Sequence, residues 1–238
     1  LEQLARDQAE LKRRHDTNVL ADLYPEPGEG KYSRDKYPKF MQFFEAGLTE
    51  RERAIIAANR VGKSYGVGGY ETTLHLTGLY PDWWPGRRFE EPTDCWAGGD
   101  TGETTRDIIQ FILTGVGGER DGGQLGTGLI PGHLFEGEPT KKSGIAGAMD
   151  TLSVKHVSGG VSRLGFKTYD QGRKKWQGTS KHVIWYDEEP PLAVYNEGLM
   201  RTMDCDGLVL CTFTPLSGIS DVVMKFLPDL DPMQAKKT

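Results

Sequence analysis

Cysteine is scarce. Cys95, Cys205 and Cys211 are the only three in 238 residues, an odd set without metal-ligand spacing, which excludes a disulfide framework or a cysteine-held zinc as the organising device and leaves buried thiols in a reducing cytosol as the expectation. The five histidines are equally scattered. No apolar run approaches the roughly 18 residues that suggest a membrane span, and the start lacks a signal-peptide pattern, so a cytoplasmic protein is expected. Neither sign of charge dominates: 29 Lys and Arg face 34 Asp and Glu, a net of -5. That balance argues against a surface that coats nucleic acid everywhere, while leaving room for a local basic groove. Internal repeats and low-complexity tracts are absent as well. What is present, 37% hydrophobic and 26% charged residues, suffices for one main core with a small appendage. The chain opens on Leu1 and trails off as PDLDPMQAKKT over 228–238, which reads as a segment cut at a linker.

The most informative stretch is Ala57 to Ser64, AANRVGKS, directly after the apolar run Ala54-Ile55-Ile56. It reads as a phosphate-binding loop between a strand at 54–58 and a helix from Lys63 to about His75. Backbone NH groups around Gly62 would wrap phosphates, Lys63 would reach the terminal ones, and the Ser64 hydroxyl would hold Mg²⁺. The strict pattern wants glycine at Ala57, so the match is imperfect. Candidate nucleotide contacts are Asn59, Arg60, Val61, Gly62, Lys63, Ser64 and Tyr65.

Elsewhere, Leu4, Leu11, Val19 and Leu23 among many charges predict a helix over 1–23, and a second helix is expected over 39–46. Residues 93–98 read as a strand, followed by a helix for which Thr101 or Thr104 is the cap. The stretch 115–132 is too glycine-rich to be regular. Residues 152–157 and 162–169, separated by Ser158-Gly159-Gly160, read as a β-hairpin beside the main sheet. VIWYD at 183–187 and LVLCTF at 208–213 are nearly continuous apolar runs, as in parallel strands covered on both faces, with a helix between them that starts near Pro190-Pro191. Trp83, Trp84 and Trp96 are assigned to packing.

The partner of the phosphate loop is VIWYDEE, an apolar strand that delivers carboxylates to the ligand edge of a parallel sheet. Asp187 would complete the Mg²⁺ shell opposite Ser64, and Glu188 would polarise the water that attacks the γ-phosphorus of ATP. Glu189 is the other candidate base; alternation along an extended strand end favours Glu188.

Together these residues carry a family resemblance. NRVGKS, the stretch YDQGRKKWQGTSKHVIWYDEEPP and CTFTPLSG at 211–218 resemble the ATPase domain of a tailed-bacteriophage terminase large subunit, the motor that packages DNA. The resemblance covers roughly residues 38–227. It implies an α/β P-loop NTPase of the additional-strand catalytic Glu type, with a mainly parallel central sheet flanked by helices. It divides the chain into an N-terminal helical segment and adenine-side lid (1–45), an ATPase domain (46–227) and a linker start (228–238), with the C-terminal nuclease domain missing and no DNA cleavage expected.

The same resemblance gives roles. Arg60 would contact the γ-phosphate or the nearby acids, its alternative being a solvent-facing loop cation. Gln42 would read adenine through its amide, or is simply an exposed helix residue. Thr212 and Thr214 would couple nucleotide state to DNA movement. Arg173, with Arg163 as the other candidate, would enter a neighbouring subunit's site as an arginine finger. The implied partners are double-stranded DNA held by its phosphates, a portal protein, the small terminase subunit and further copies in a ring, usually of five, acting in the host cytoplasm and transiently on the procapsid portal. Arg173, Lys174, Lys175, Trp176, Lys181 and His182 would face DNA, form a solvated loop or serve the nucleotide. Competing readings are a helicase-like nucleic-acid ring ATPase, a nucleotide-gated assembly adaptor with little turnover and, last, a small-molecule kinase.

Overall fold

The computed structural model describes residues 19–117, 123–216 and 218–227. Seven strands, β1 (Glu52–Ile56), β2 (Asp94–Gly99), β3 (Thr140–Lys141), β4 (Met149–Lys155), β5 (Val161–Thr168), β6 (Val183–Asp187) and β7 (Leu208–Phe213), form one sheet in the order β1-β7-β6-β2-β5-β4-β3. Pairing is parallel from β1 through β7, β6 and β2 to β5. It turns antiparallel at β4 and β3, so the sheet is mixed. The expected hairpin is therefore a wing of the main sheet, with β5 hydrogen-bonded to β2.

Among the described residues five α-helices flank it: α1 (Pro38–Ala46), α2 (Tyr70–Thr77), α3 (Gly102–Thr104, continued to Thr114), α4 (Leu192–Arg201) and α5 (Asp221–Phe226). Helix α2 is entered through a π-helical turn, Lys63–Gly69. Helix α3 contains a second π-helical turn, Thr105–Gln110, before Phe111–Thr114. Thr101 caps α3, its side chain accepting from the Thr104 amide at 3.2 Å, which supplies a partner for one of the donors a helix start leaves open.

Every residue of β6 and β7 is buried, because alternate side chains enter two separate cores. Val183, Trp185, Leu208 and Leu210 pack with Val67, Leu74, Ile109 and the α1 aromatics Phe40, Phe43 and Phe44. Ile184, Tyr186, Val209, Cys211 and Phe213 pack with Val194, Tyr195, Val222 and Val223 on the opposite face. The apolar runs thus report helices on both sides of the sheet. Cys95 and Cys211 are buried free thiols; Trp84 and Trp96 are buried and Trp83 packs beside the first core, as assigned.

Some expectations need correction. Residues 1–18 of the expected first helix lie outside the described residues, and 19–24 form turns rather than its last coils; Pro25 and Pro27 close by leave no room for a helical end. The first strand begins and ends two residues earlier than expected, since the loop claims Ala57 and Ala58. The linker start at 228–238 also lies outside the described residues. Among the described residues no helix is long and apolar enough to cross a membrane.

Candidate active site

The parallel pairing of β1 with β7 sets Ile56 opposite Phe213, so the loop leaving β1 and the strand end leaving β7 emerge side by side. Between β1 and Lys63 the chain turns sharply, through Arg60 at φ +66° and Gly62 at φ +88°. Glycine takes that conformation without cost, whereas Arg60 holds a left-handed backbone that costs a non-glycine residue about 1–2 kcal/mol. Strain of this kind gathers where a ligand must meet backbone.

Lys63 is only 6% exposed. Its ammonium donates to the carbonyls of Ala57 (3.0 Å) and Ala58 (2.9 Å) and to Thr214 Oγ1 (2.9 Å), filling all three donors. Thr214 in turn lies 2.8 Å from the Ala57 carbonyl and 2.7 Å from Asn59 Oδ1. The loop lysine, the loop asparagine and the end of β7 therefore form one hydrogen-bonded knot.

The second half of the site comes from β6. Asp187 pairs in register with Thr212 of β7, whose hydroxyl donates to Asp187 Oδ1 at 2.8 Å. That direction follows from the partners: an ionised carboxylate oxygen can only accept, while a lone pair of the same hydroxyl accepts from the Trp185 indole NH at 2.7 Å. Trp185 fits there because Gly68 lacks a side chain: a Cβ at Gly68 would stand 2.1 Å from the indole nitrogen. Burial pushes the Asp187 carboxyl up to about 6, opposed by hydrogen bonds from Ser64 and Thr212 and, more weakly, by Lys63, while the Glu188 charge adds to the rise. Ser64 thus lies near enough to Asp187 to favour its charged form, and the two face each other as an all-oxygen pair of the kind a hard divalent cation takes.

Glu188 is half-buried and held at φ +64°, so the extended strand stops at Asp187. The alternation used to choose between Glu188 and Glu189 does not continue past that point. Tyr169 OH lies 2.8 Å from the Asp187 carbonyl and 3.1 Å from that of Glu188, pinning the turn that aims the acids. Neither this tyrosine nor the Trp185 contact was visible in the sequence as part of the site; only the aromatic pair inside VIWYD hinted that the strand packs polar-tipped rings.

Other candidates are more dispersed. Arg60, Val61, Gly62 and Tyr65 line a cavity of about 270 Å³ with Tyr32, Tyr37 and Phe40, an aromatic wall unforeseen except in the tyrosine-rich run at 32–37. Gln42, exposed on α1 with Lys39 Nζ 3.4 Å away, lines a different cavity of about 600 Å³ along β1, which it shares with Ala57 and Phe226. Arg173 opens a short 3-10 turn, Arg173–Trp176. Its side chain, 59% exposed, stands 3.8 Å from Glu197 of α4 rather than near the loop. Arg163 is exposed on β5. The supposed basic loop is broken up: Trp176 is in the second core, and Lys181 is buried, bonded to Asp94 Oδ2 and Thr179 Oγ1 at 2.8 and 2.7 Å. His182 accepts from the Asp94 amide at 3.0 Å. Only Arg173, Lys174 and Lys175 of that group are exposed.

The chain is 41% identical over 224 residues to the terminase large subunit of Salmonella phage P22, a match that takes in 87% of this chain and 44% of that protein. The chain thus spans less than half the length of that relative. Its fold is similar to that of the large terminase from a thermophilic bacteriophage, with a TM-score of 0.52 and 13% identity over 82% of this chain and 42% of the other. Residues 54–238 match the model of the T4likevirus-type terminase large subunit N-terminal family, and the chain belongs to that family.

Proposed function

We propose that this chain is the ATP-hydrolysing motor domain of a viral terminase large subunit, of the additional-strand catalytic Glu type, and that it drives double-stranded DNA into a procapsid. One observation carries the reading. A buried loop lysine, a loop serine, a strand-end aspartate and a following glutamate converge at one edge of a parallel sheet, with β7 inserted between the loop strand and the acidic strand. The substrate is ATP, its β- and γ-phosphates lying over Gly62 and within reach of Lys63. Ser64 and Asp187 would hold Mg²⁺, which when bound offsets phosphate charge. Glu188 orients and polarises the attacking water for in-line displacement.

Within the hydrogen-bonded knot Lys63 is committed to Thr214 and two carbonyls. A γ-phosphate competes for the same ammonium, so binding ATP frees the Thr214 hydroxyl and passes the nucleotide state to the end of β7. Arg60, at the mouth of the loop, meets the phosphates. Arg173, exposed and only loosely held by Glu197, serves a neighbouring subunit's site within a ring on the portal, in the host cytoplasm. The nucleotide side of the molecule includes α1 with Gln42, and the small terminase subunit is a further partner.

The test is phosphate release from ATP by the purified chain with Mg²⁺. The wild type is expected to turn over, and Lys63→Ala to lose both nucleotide binding and turnover. Nucleotide binding without turnover in the wild type, with or without DNA and portal, would mark an assembly adaptor instead.

A further inference from the structure

Charge in this chain is sharply segregated. Residues 139–182 hold nine of the 29 Lys and Arg but only two of the 34 Asp and Glu, a local excess of +7 that leaves the rest of the chain at -12. Most of this segment is the antiparallel wing of the sheet, β3, β4 and β5. The wing has two unlike faces. Leu152, Val154, Leu164 and Phe166 point into the first core. Their alternates point away from it: Ser153 is paired with Arg163, Lys155 with Val161 and Thr151 with Gly165.

Among the described residues no helix covers this second face as α4 and α5 cover β6 and β7. Thr151, Lys155, Val161 and Arg163 are exposed, and Ser153 and Lys167 are half-buried. Lys167 lies over the Trp96 ring at 4.6 Å and donates to the Lys175 carbonyl at 3.1 Å. This fixes its stem at the end of the face where the 3-10 turn begins. Lys142 and Lys175 are its electrostatic neighbours there. Burial holds Lys142 and Lys167 below the ordinary lysine range; Asp150, and for Lys142 also Asp170, oppose that shift, while Lys175 adds to it by repulsion. Lys155 reaches Glu136 at 3.1 Å and Lys181 takes Asp94. Among the described residues Lys142, Arg163, Lys167 and Lys175 have no carboxylate partner within ion-pairing distance.

We infer that the open face of β4 and β5, with Lys142 and Lys175 at its edge, is the surface that meets the sugar-phosphate backbone of double-stranded DNA. The inference rests on the packaging reading and adds to it the place of contact. Lysine, arginine and threonine donors with few competing acceptors suit phosphodiester oxygens and carry no base readout. The aromatic rings near the face, Trp96 and Trp176, are 6% and 0% exposed, so among the described residues neither offers the stacking platform that unpaired bases require, and a duplex is the fitting partner.

The experiment measures binding of a fluorescent 30-base-pair duplex of arbitrary sequence by the full chain across a salt series. Lys142→Gln, Lys155→Gln and Lys175→Gln are combined in one variant, and Lys36→Gln, Arg88→Gln and Lys225→Gln in a control with the same charge change. If each wing lysine contacts one phosphate, the slope of log K against log salt becomes shallower by roughly 2–3 in the wing variant. The control keeps the wild-type slope, and both variants keep basal ATP turnover. Equal slopes for the two variants would overturn the assignment. So would equally tight, equally lysine-dependent binding of polyglutamate, which would indicate an acidic protein partner. A wild type that hydrolyses ATP yet binds no duplex at low salt refutes the surface and leaves hydrolysis standing; lysine-dependent duplex binding without turnover refutes the ATPase reading and retains the surface.

Discussion

At the scale of single residues, the site depends on hydrogen bonds whose direction is forced. Thr212 is the clearest case, a hydroxyl that accepts from the Trp185 indole and donates to Asp187, whose ionised carboxylate can only accept. Thr212→Val strands a buried donor and a buried acceptor together, and a loss of about 2–6 kcal/mol of stability is expected, since each unsatisfied group costs about 1–3 kcal/mol. Chemical unfolding measures it; a change within a few tenths of a kcal/mol would show that neither group depends on the hydroxyl. The candidate residues Lys63, Ser64, Asp187 and Glu188 could be picked out in the sequence because their types and spacing are those that phosphate chemistry would require. Trp185, Tyr169 and the burial of Lys181 were not. Each depends on a partner far along the chain, Thr212, the Asp187 carbonyl and Asp94 respectively, and nothing local announces such a partner.

At the scale of elements, β1 and α2 are clasped by buried charge. Arg53 of β1 meets Glu71 at 2.6 Å, and His75, one turn along α2, meets the same carboxylate at 3.1 Å. Burial works to raise the Glu71 carboxyl, but Arg53 and then His75 more than reverse it, and it lies below its ordinary 4.5. Burial lowers His75 below its ordinary 6.5, so it is neutral at pH 7. In both cases the unfolded chain takes up protons first as pH falls. Stability is therefore full above about pH 6.5, declines first through His75, then through Glu71 below 4.5. Glu71→Gln leaves Arg53 buried without its counter-charge, a loss of about 3–5 kcal/mol at pH 7, and flattens the decline below pH 4.5. An unaltered acid slope in urea unfolding at pH 7 and pH 4 would remove Glu71 from this role.

The entry to α2 has its own constraint. Gly68→Ala would drive a methyl group into the Trp185 indole, 2.1 Å from its nitrogen, and overpacking of this kind costs about 1–3 kcal/mol. The expected result in thermal unfolding is a destabilised protein, and Gly68→Ala combined with Trp185→Phe should recover part of the loss. No recovery in the double variant would mean that the clash lies elsewhere. The helix from Lys63 onward was expected as the element that follows the phosphate-binding loop. The π-helical geometry of Lys63–Gly69 was not predictable, since it is imposed by what the turn packs against.

At the scale of the molecule, strand existence was readable and strand order was not. β6 and β7 are continuous apolar runs, and β4 and β5 flank a Ser-Gly-Gly turn, all local signals. That β7 lies between β1 and β6 is a property of long-range pairing, yet it is what sets Thr214 against Lys63 and Thr212 against Asp187. The two-residue β3 was invisible for want of length. Charge segregation was present in the sequence as well. Its meaning depended on knowing that one face of the β4–β5 wing is left bare while the other closes the core.

The central claim is that Glu188 activates water over a nucleotide held by Lys63, Ser64 and Asp187. Glu188→Gln tests it most directly, with Mg-ATP affinity and phosphate release measured on the same preparation. Affinity within a few-fold of the wild type, together with turnover reduced at least about 100-fold, at the low end of what a positioned general base contributes, is the predicted result. Phosphate release near the wild-type rate would contradict it.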